Sequence, residues 1–283
     1  MNHVLICTKP TLGDKNFYKR WQSLGKIYRI DPTTPNRLIN VIVVDQHTLV
    51  SDSFLARYPS LEVICSPTTG HTHFQFDLRK FNIPIISLRG ETEFLQSIHS
   101  VSEYTFKLIL DLVRQQHKTN YTLHGKTIGI VGHGRIGKHV EAIAKGFGMQ
   151  VLTYDKKQKK DDLVGLFQSS DFVSIHLSEE EGTKNLINKG LIKHMKDTAY
   201  LINTARGSVI NEEELCEALI DDQIAGAALD VIEDRNMLYK NIKNLVLSSH
   251  VAGSTLDDRI STDEFILNRV KEFFKAKNRQ SNN

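Results

Sequence analysis

Short apolar runs alternate with amphipathic stretches along most of the chain. The runs are mostly bounded by Gly, Pro, Asp or Asn, which is typical of short buried strands. They predict strands at residues 4–7, 26–30, 41–44, 61–65, 83–87, 128–131, 151–154, 172–175, 199–203, 224–229 and 245–248. Apolar residues at helical spacing predict helices at 14–24, 52–58, 101–116, 211–218 and 256–275. Alternation of this kind predicts an α/β protein with parallel sheets.

A glycine-rich turn follows the predicted strand 128–131 and leads directly into a helical pattern. Gly132, Gly134 and Gly137 have the spacing of the dinucleotide-binding fingerprint, and Asp155 follows about 20 residues later, as that fingerprint requires. In this motif the first glycine permits a tight turn, the second lets a pyrophosphate approach the backbone, and the third lets helix and strand pack closely. A carboxylate at Asp155 would bind the 2′-hydroxyl of an adenosine ribose and repel a 2′-phosphate. The sequence therefore predicts NAD rather than NADP.

A run of lysines, Lys156, Lys157, Lys159 and Lys160, comes directly after Asp155. Charge runs usually belong to solvated loops. Alternatively, these lysines lie beside the adenosine site and weaken the preference for NAD. Both interpretations remain open from the sequence.

Composition limits the other classes of function. A length of 283 residues suits two domains, and 40% hydrophobic with 24% charged residues is ordinary for a globular protein. A net charge of +3 gives no indication of a nucleic-acid partner. Cys7, Cys65 and Cys216 are too far apart for a metal motif or a disulfide framework. No apolar run approaches the roughly 18 residues of a membrane span, and the N-terminus lacks a secretory pattern, so we expect a cytoplasmic protein without membrane contact.

Three of the later predicted strands are followed by Arg206, Asp230 and His250. Ligands of open α/β sheets bind outside the carboxyl ends of the strands, so these side chains are expected in the crevice that holds the pyrophosphate. Arginine binds a carboxylate through two parallel hydrogen bonds, and histidine is the natural proton donor near neutral pH. The set suits the reduction of a 2-oxo acid, with the hydride supplied by the cofactor.

In these segments the chain resembles the D-isomer-specific 2-hydroxyacid dehydrogenases. The resemblance is carried by GKTIGIVGHGRIGKHV (125–140), TYD (153–155), VSIHLSEEEGTKNLI (173–187), IKHMKDTAYLINTARGSVINEEEL (192–215), GAALDVIED (226–234) and SSHVAGST (248–255). It is fainter in SPTTGHTHFQFD (66–77) and HSVSEYTFKLIL (99–110). The resemblance implies two doubly wound parallel-sheet domains. A Rossmann NAD-binding domain, 98–255, would be inserted into a flavodoxin-like catalytic domain made of 1–97 and 256–283.

The resemblance also implies an activity and a site. The activity is NAD-dependent interconversion of a D-2-hydroxy acid and a 2-oxo acid by hydride transfer. Arg206 would bind the substrate carboxylate, His250 would be the acid–base, Asp230 would hold the nicotinamide amide, and backbone N–H groups around 69–71 would help to seat the carboxylate. The remaining implied cofactor-binding residues are Gly132, Gly134, Arg135, Ile136, Gly137, Asp155 and Thr204. The family further implies a homodimer, and nothing implies a metal.

The chain departs from the family pattern beside this site. The family places a catalytic Glu five residues after the Asp of its DV motif, where it pairs with the His, but this chain has Arg235 there. In one alternative, Glu233 or Asp234 replaces that acid because the loop between Asp230 and His250 is shorter. In the other, the carboxylate is absent and reduction is weak at neutral pH. The chain would then be a weakly active or non-catalytic NAD(H)-binding regulatory protein of the same fold.

Overall fold

The structure is a computed structural model that describes residues 1–10, 13–29, 36–77, 79–114, 121–156, 160–233 and 242–281. The chain forms two compact units. One unit, called the split unit here, consists of Met1–Ser97 and Thr255–Asn283. The other, called the continuous unit, consists of Ile98–Ser254.

Both units contain strands and helices. The strands are β1 (Asn2–Ile6), β2 (Gly25–Arg29), β3 (Val41–Val43), β4 (Val50–Ser51), β5 (Val63–Ser66), β6 (Phe74–Gln75), β7 (Ile85–Ser87), β8 (Thr127–Val131), β9 (Gln150–Tyr154), β10 (Phe172–Ile175), β11 (Tyr200–Asn203), β12 (Gly226–Leu229) and β13 (Leu245–Leu247). The helices are α1 (Phe17–Gln22), α2 (Asp52–Leu55), α3 (Thr92–Leu95), α4 (Ser100–Val113), α5 (Arg135–Gly146), α6 (Lys160–Ser169), α7 (Lys189–Ile192), α8 (Glu212–Ile220) and α9 (Leu256–Ser281). Short 3-10 turns lie at Asn36–Leu38, Glu181–Thr183 and Gly207–Val209.

The main sheet of the split unit is parallel throughout, in the order β2-β1-β3-β5-β7. Apart from the separate pair β4–β6, this is the flavodoxin-like order 2-1-3-4-5. On one face, Phe17 and Trp21 of α1 share an apolar cluster with Ile266 and Val270 of α9 and Val4 of β1. Trp21, the single tryptophan of the sequence, is 0% exposed. The other face carries a second cluster that includes Leu5, Ile39, Ile42, Leu55 and Ile64.

The sheet of the continuous unit is also parallel, in the order β13-β12-β11-β10-β8-β9. Successive side chains on a strand point to opposite faces, so Ile128 and Ile130 of β8 pack with α4 and α5, while Val131 packs with α6, α7 and α8. Because β9 and β10 lie on opposite sides of β8, the carboxyl ends of β8 and β10 form the switch point at which such sheets bind ligands. The predicted class of two doubly wound parallel sheets is confirmed.

The clearest difference from the sequence prediction is α6. The sequence patterns predict no helix there, and one of the two interpretations of the lysine run places it in a solvated loop. Lys160 begins the helix, and Lys157 and Lys159 lie outside the described residues. The signal was present, because the buried residues Leu163, Leu166 and Phe167 have the i, i+3, i+4 spacing of a helix face. Smaller differences include the extension of α9 beyond its predicted end and three features that no pattern predicted, the pair β4–β6 and the short helices α3 and α7.

Candidate functional site

At the turn after β8, the fold requires glycine at two positions, 132 and 137. Gly132 has a φ of +98°, and a Cβ there would lie 2.5 Å from the carbonyl oxygen of His176, which follows β10. A Cβ on Gly137 would collide with the carbonyl oxygen of Gly132. By contrast, a Cβ on Gly134 would meet no heavy atom within 4 Å. The middle glycine therefore faces open space at the start of α5.

Helix α5 begins directly after this turn, with Gly134 as its extended N-cap. The first N–H groups of a helix lack intrahelical acceptors, and together with the helix dipole they form a binding site for phosphate oxygens. Ile136 packs against the apolar cluster under the sheet, and the Arg135 Nη1 donates to the carbonyl oxygen of Ile98 at 3.1 Å. The open space and the helix start fit the pyrophosphate of a dinucleotide.

The other half of the fingerprint lies beside the turn. Strand β9 pairs with β8 so that Tyr154 is opposite Val131, and the Gly132 N–H donates to the Tyr154 carbonyl oxygen at 2.8 Å. The half-buried Asp155 is the next residue. This is where an acid that recognises the adenosine ribose has to lie relative to the glycine turn.

The turn after β11 carries Arg206. The Asn203 side chain closes this turn, since its Nδ2 donates to the Arg206 carbonyl oxygen at 2.9 Å and its Oδ1 accepts from the Ala205 N–H at 2.9 Å. Arg206 is half-buried, and its Nη1 donates to the Ala205 carbonyl oxygen at 2.7 Å. The Thr204 hydroxyl is buried and lies 3.0 Å from the hydroxyl of Thr105. The backbone that supports Arg206 is thus fixed by side-chain hydrogen bonds.

Asp230, after β12, holds the loop that carries His250. Its buried carboxylate accepts from the Ser248 hydroxyl at 2.6 Å, from the Val251 N–H at 2.9 Å and from the Ala252 N–H at 3.0 Å. Its carbonyl oxygen accepts from the His250 N–H at 2.8 Å. His250 is exposed and has a φ of +56°, a left-handed conformation that is uncommon for any residue but glycine. The Asp230 carboxylate therefore shapes an otherwise unfavourable loop.

Strands β11, β12 and β13 are adjacent and parallel, so the loops that carry Arg206, Asp230 and His250 leave the same edge of the sheet. The Asp230 N–H also donates to the Asn203 carbonyl oxygen at 2.9 Å, which ties two of these loops together. The glycine turn leaves that edge as well, from β8. The residues predicted from the ends of separate strands are thus brought to one edge.

The acid partner of His250 lies partly outside what the structure describes, since Asp234 and Arg235 fall in an undescribed range. Glu233 is described, and its side chain is exposed. The Glu233 N–H donates at 2.6 Å to Oε1 of Glu212, a carboxylate in the first turn of α8 that is 7% exposed. Sequence reasoning missed Glu212, because an acid in the first turn of a helix is ordinarily explained by the helix dipole.

Residues 69–71 belong to the split unit, where hydrogen bonds fix their surroundings. The Thr68 hydroxyl donates to the Gly70 carbonyl oxygen at 3.0 Å, and the His71 Nε2 lies 2.8 Å from the Ser87 hydroxyl. Burial, and then the charge of Arg89, lower the pKa of His71. Both effects disfavour the protonated form of His71.

The described residues offer little for thiol or metal chemistry. The three cysteines are free thiols, and burial raises the pKa of Cys7 to about 12 and that of Cys65 further still. Within the described ranges, no three His, Cys, Asp or Glu side chains gather as metal ligands would. Of the helices in those ranges, none is both long and apolar enough to cross a membrane.

The chain is similar to known proteins in sequence and in fold. Residues 93–252 match the family model of the D-isomer-specific 2-hydroxyacid dehydrogenase NAD-binding domain. A glyoxylate reductase of Thermofilum pendens is 34% identical over 236 residues, covering 71% of this chain and 68% of that protein. A glyoxylate reductase of Thermococcus litoralis is 38% identical over 170 residues, covering 55% and 51%. A D-lactate dehydrogenase of Aquifex aeolicus, solved with NAD and lactic acid, superposes with a TM-score of 0.76 at 26% identity, covering 99% and 97%. Several alignments, including that with the T. litoralis protein, span only about half the length of the curated relative.

Proposed function

This chain belongs to the D-isomer-specific 2-hydroxyacid dehydrogenase family, and from that premise we propose that it is an NAD-dependent enzyme interconverting a D-2-hydroxy acid and a 2-oxo acid. One observation carries the proposal. The loops with the glycine turn, Arg206, Asp230 and His250 leave the same edge of one parallel sheet. A cofactor cradle, a fixed cation and an acid–base on one edge are what hydride transfer to a 2-oxo acid requires.

The glycine turn and the start of α5 support the proposed binding of NAD through their shape and their backbone N–H donors. NAD, when bound, supplies or accepts the hydride. The backbone of Arg135 and Ile136 and the open space at Gly134 suit the pyrophosphate, and Asp155 suits the adenosine ribose. Thr204 is proposed as a further cofactor contact.

The Asp230 carboxylate can accept a further hydrogen bond, and we propose the nicotinamide amide as its donor. A carboxylate offers about four acceptor positions, and the described residues supply Asp230 with three donors, from Ser248, Val251 and Ala252. One position, on Oδ2, is therefore left for an amide N–H. Asp230 would bind the cofactor and hold the His250 loop at the same time.

The substrate side of the proposal assigns one role to each residue. Arg206 binds the carboxylate of the 2-oxo acid, since its guanidinium forms paired hydrogen bonds with both oxygens. His250 donates a proton to the carbonyl oxygen during reduction and removes it from the hydroxyl group during oxidation. Glu233 and Asp234 remain the two candidates for the carboxylate that supports the protonated imidazole.

We assign NAD binding to the continuous unit, which also carries Arg206 and His250. We assign the remaining substrate contacts, including the backbone around residues 69–71, to the split unit. As in the family, we propose a homodimer, and we place it in the cytoplasm with a small 2-oxo or 2-hydroxy acid as its partner. Neither nucleic acid nor membrane is part of the proposal.

The purified protein should oxidise NADH in the presence of a 2-oxo acid. Because the relatives are named glyoxylate reductases, glyoxylate is the first substrate to test, followed by pyruvate and hydroxypyruvate. NADPH should be the poorer cofactor, since Asp155 repels a 2′-phosphate. The measurement is the loss of NADH absorbance. NADH binding without turnover on any 2-oxo acid would contradict the proposal and favour a regulatory NAD(H)-binding protein.

Variants of the glycine turn can separate an effect on NADH binding from an effect on stability. Gly134→Ala should lower the melting temperature only slightly, because its Cβ has open space and only the N-cap preference for glycine is lost. It should weaken NADH binding by about tenfold, or about 1.4 kcal/mol, because that space is needed by the pyrophosphate. Gly137→Ala, the matched variant, should destabilise the fold by roughly 1–3 kcal/mol through the collision with the Gly132 carbonyl oxygen. Thermal melts and NADH fluorescence titrations give both quantities. Equal NADH affinity in Gly134→Ala and wild type would exclude the proposed pyrophosphate position.

A further inference from the structure

The short segment after β12, Asp230 to Glu233, is held at both of its ends by carboxylates. At its start, the Asp230 carboxylate binds the loop on either side of His250. At its far end, the Glu233 N–H donates to Glu212 Oε1 at 2.6 Å. Glu212 is 7% exposed, so this charge-assisted bond is shielded from water.

The same far end packs against the turn that carries Arg206. A Cβ on Gly207 would lie 2.5 Å from the Glu233 nitrogen and from the Ile232 carbonyl carbon. The backbone of Gly207, which directly follows Arg206, therefore lies against residues 232 and 233. If residues 232 and 233 shift away from Glu212, they no longer pack in the same position against the turn that carries Arg206.

We propose that Glu212 is a positioning residue that sets the place of Arg206 relative to His250. It acts through the Glu233 N–H and the Gly207 contact, and it touches neither cofactor nor substrate. Small errors in the placement of reacting groups reduce rates strongly, and a 1 Å displacement can lower a rate by about 10²-fold. Glu212 should thus affect turnover far more than cofactor affinity. The kinetic part of this inference rests on the proposed function; the positional part does not.

The kinetic test compares three variants of the full chain with wild type. Glu212→Ala should lower kcat/KM for the 2-oxo acid by about tenfold or more, with the Kd for NADH within about twofold of wild type. Glu212→Gln keeps an oxygen that accepts from the Glu233 N–H, so it should recover kcat/KM to within about threefold of wild type. Glu213→Ala, at the exposed neighbouring position, should have no effect. Rates are expressed per NADH-binding site, so that partial unfolding does not mimic the result.

Hydrogen exchange provides a second readout that needs no turnover. The amide of Glu233 should exchange at least about tenfold faster in Glu212→Ala than in wild type or Glu213→Ala, because its acceptor is lost. Unchanged exchange there, an unchanged kcat/KM in Glu212→Ala, or a Glu212→Gln variant as slow as Glu212→Ala would each overturn the inference. If wild type reduces no 2-oxo acid, the proposed function fails, and the exchange rates alone then support or overturn the placement of Glu233 by Glu212.

Discussion

Replacing His250 by Asn should lower kcat for 2-oxo acid reduction by about 10²–10⁴-fold, the usual contribution of a general acid–base. The Kd for NADH should stay within about twofold, because the imidazole is not part of the proposed cofactor cradle. Asparagine is the suitable replacement since His250 has a φ of +56°, and Asn tolerates that left-handed region better than most residues. The variant therefore removes the proton donor while keeping the loop that Asp230 holds. Steady-state kinetics and NADH titration measure the two effects.

His194→Asn is the matched control, because this histidine is half-buried in the same unit and lies outside the proposed site. It should retain the wild-type kcat. The pH dependence of the residual activity in His250→Asn should also lose the limb that reports the acid–base group. A His250→Asn variant whose kcat stays within about tenfold of wild type would show that another group donates the proton.

Replacing Asp263 by Asn should stabilise the protein near pH 7.5, by up to about 3 kcal/mol. Asp263 lies within α9, its side chain is 1% exposed, and neither of its oxygens has a hydrogen-bond partner among the described residues. Arg20 approaches to 3.7 Å, but it forms its hydrogen bonds with Asp14. Burial raises the pKa of Asp263 from 3.8 to about 6, although Arg259 and Arg20 oppose the change.

The pH dependence of this effect has a definite sign. Because the pKa of Asp263 is higher in the folded state, ionisation favours the unfolded chain. The free-energy cost of ionising Asp263 in the folded protein is absent below pH 3.8, its pKa in the unfolded chain. The cost grows as the pH rises to about 6 and is complete above that value. Each pKa unit corresponds to about 1.4 kcal/mol, so the cost of ionising Asp263 is about 3 kcal/mol at about pH 7.5. That cost is the upper bound of the gain for the Asn variant, because the buried amide group has its own desolvation cost, and little gain is expected near pH 4.

Chemical denaturation at several pH values tests this expectation. Glu264→Gln, the exposed neighbour on the same helix, is the control and should change the free energy of unfolding by less than about 0.5 kcal/mol. A destabilised Asp263→Asn variant near neutral pH would mean that attraction to Arg20 and Arg259 outweighs the cost of burial.

The sequence predicts some elements of this fold residue for residue and misses others for physical reasons. Strand β10 matches its prediction because a strand buried on both faces has to be an apolar run. The pair β4–β6 could not be predicted, since strands of two residues carry no periodicity. Helix α6 could have been predicted from the spacing of Leu163, Leu166 and Phe167, whereas the lysine run before it carries no such periodicity.

Some features of the candidate site could likewise be predicted from the sequence, and others could not. Its residues were identifiable because each follows a strand and because the glycine spacing is specific. Their supports were not, since the hydrogen bonds of Asp230 and Glu212 join residues far apart in sequence. The identity of a residue indicates what chemistry it offers, whereas the fold determines which backbone groups it holds.

The buried Trp21 provides an intrinsic fluorescence probe of the split unit. With a single indole in the chain, packed between the sheet of the split unit and α9, all tryptophan emission originates from that one apolar face. Fluorescence therefore follows the loosening of one unit, while circular dichroism follows the helices and strands of both. Denaturation curves that coincide would indicate that both units unfold together, and curves that separate would give each unit a stability of its own.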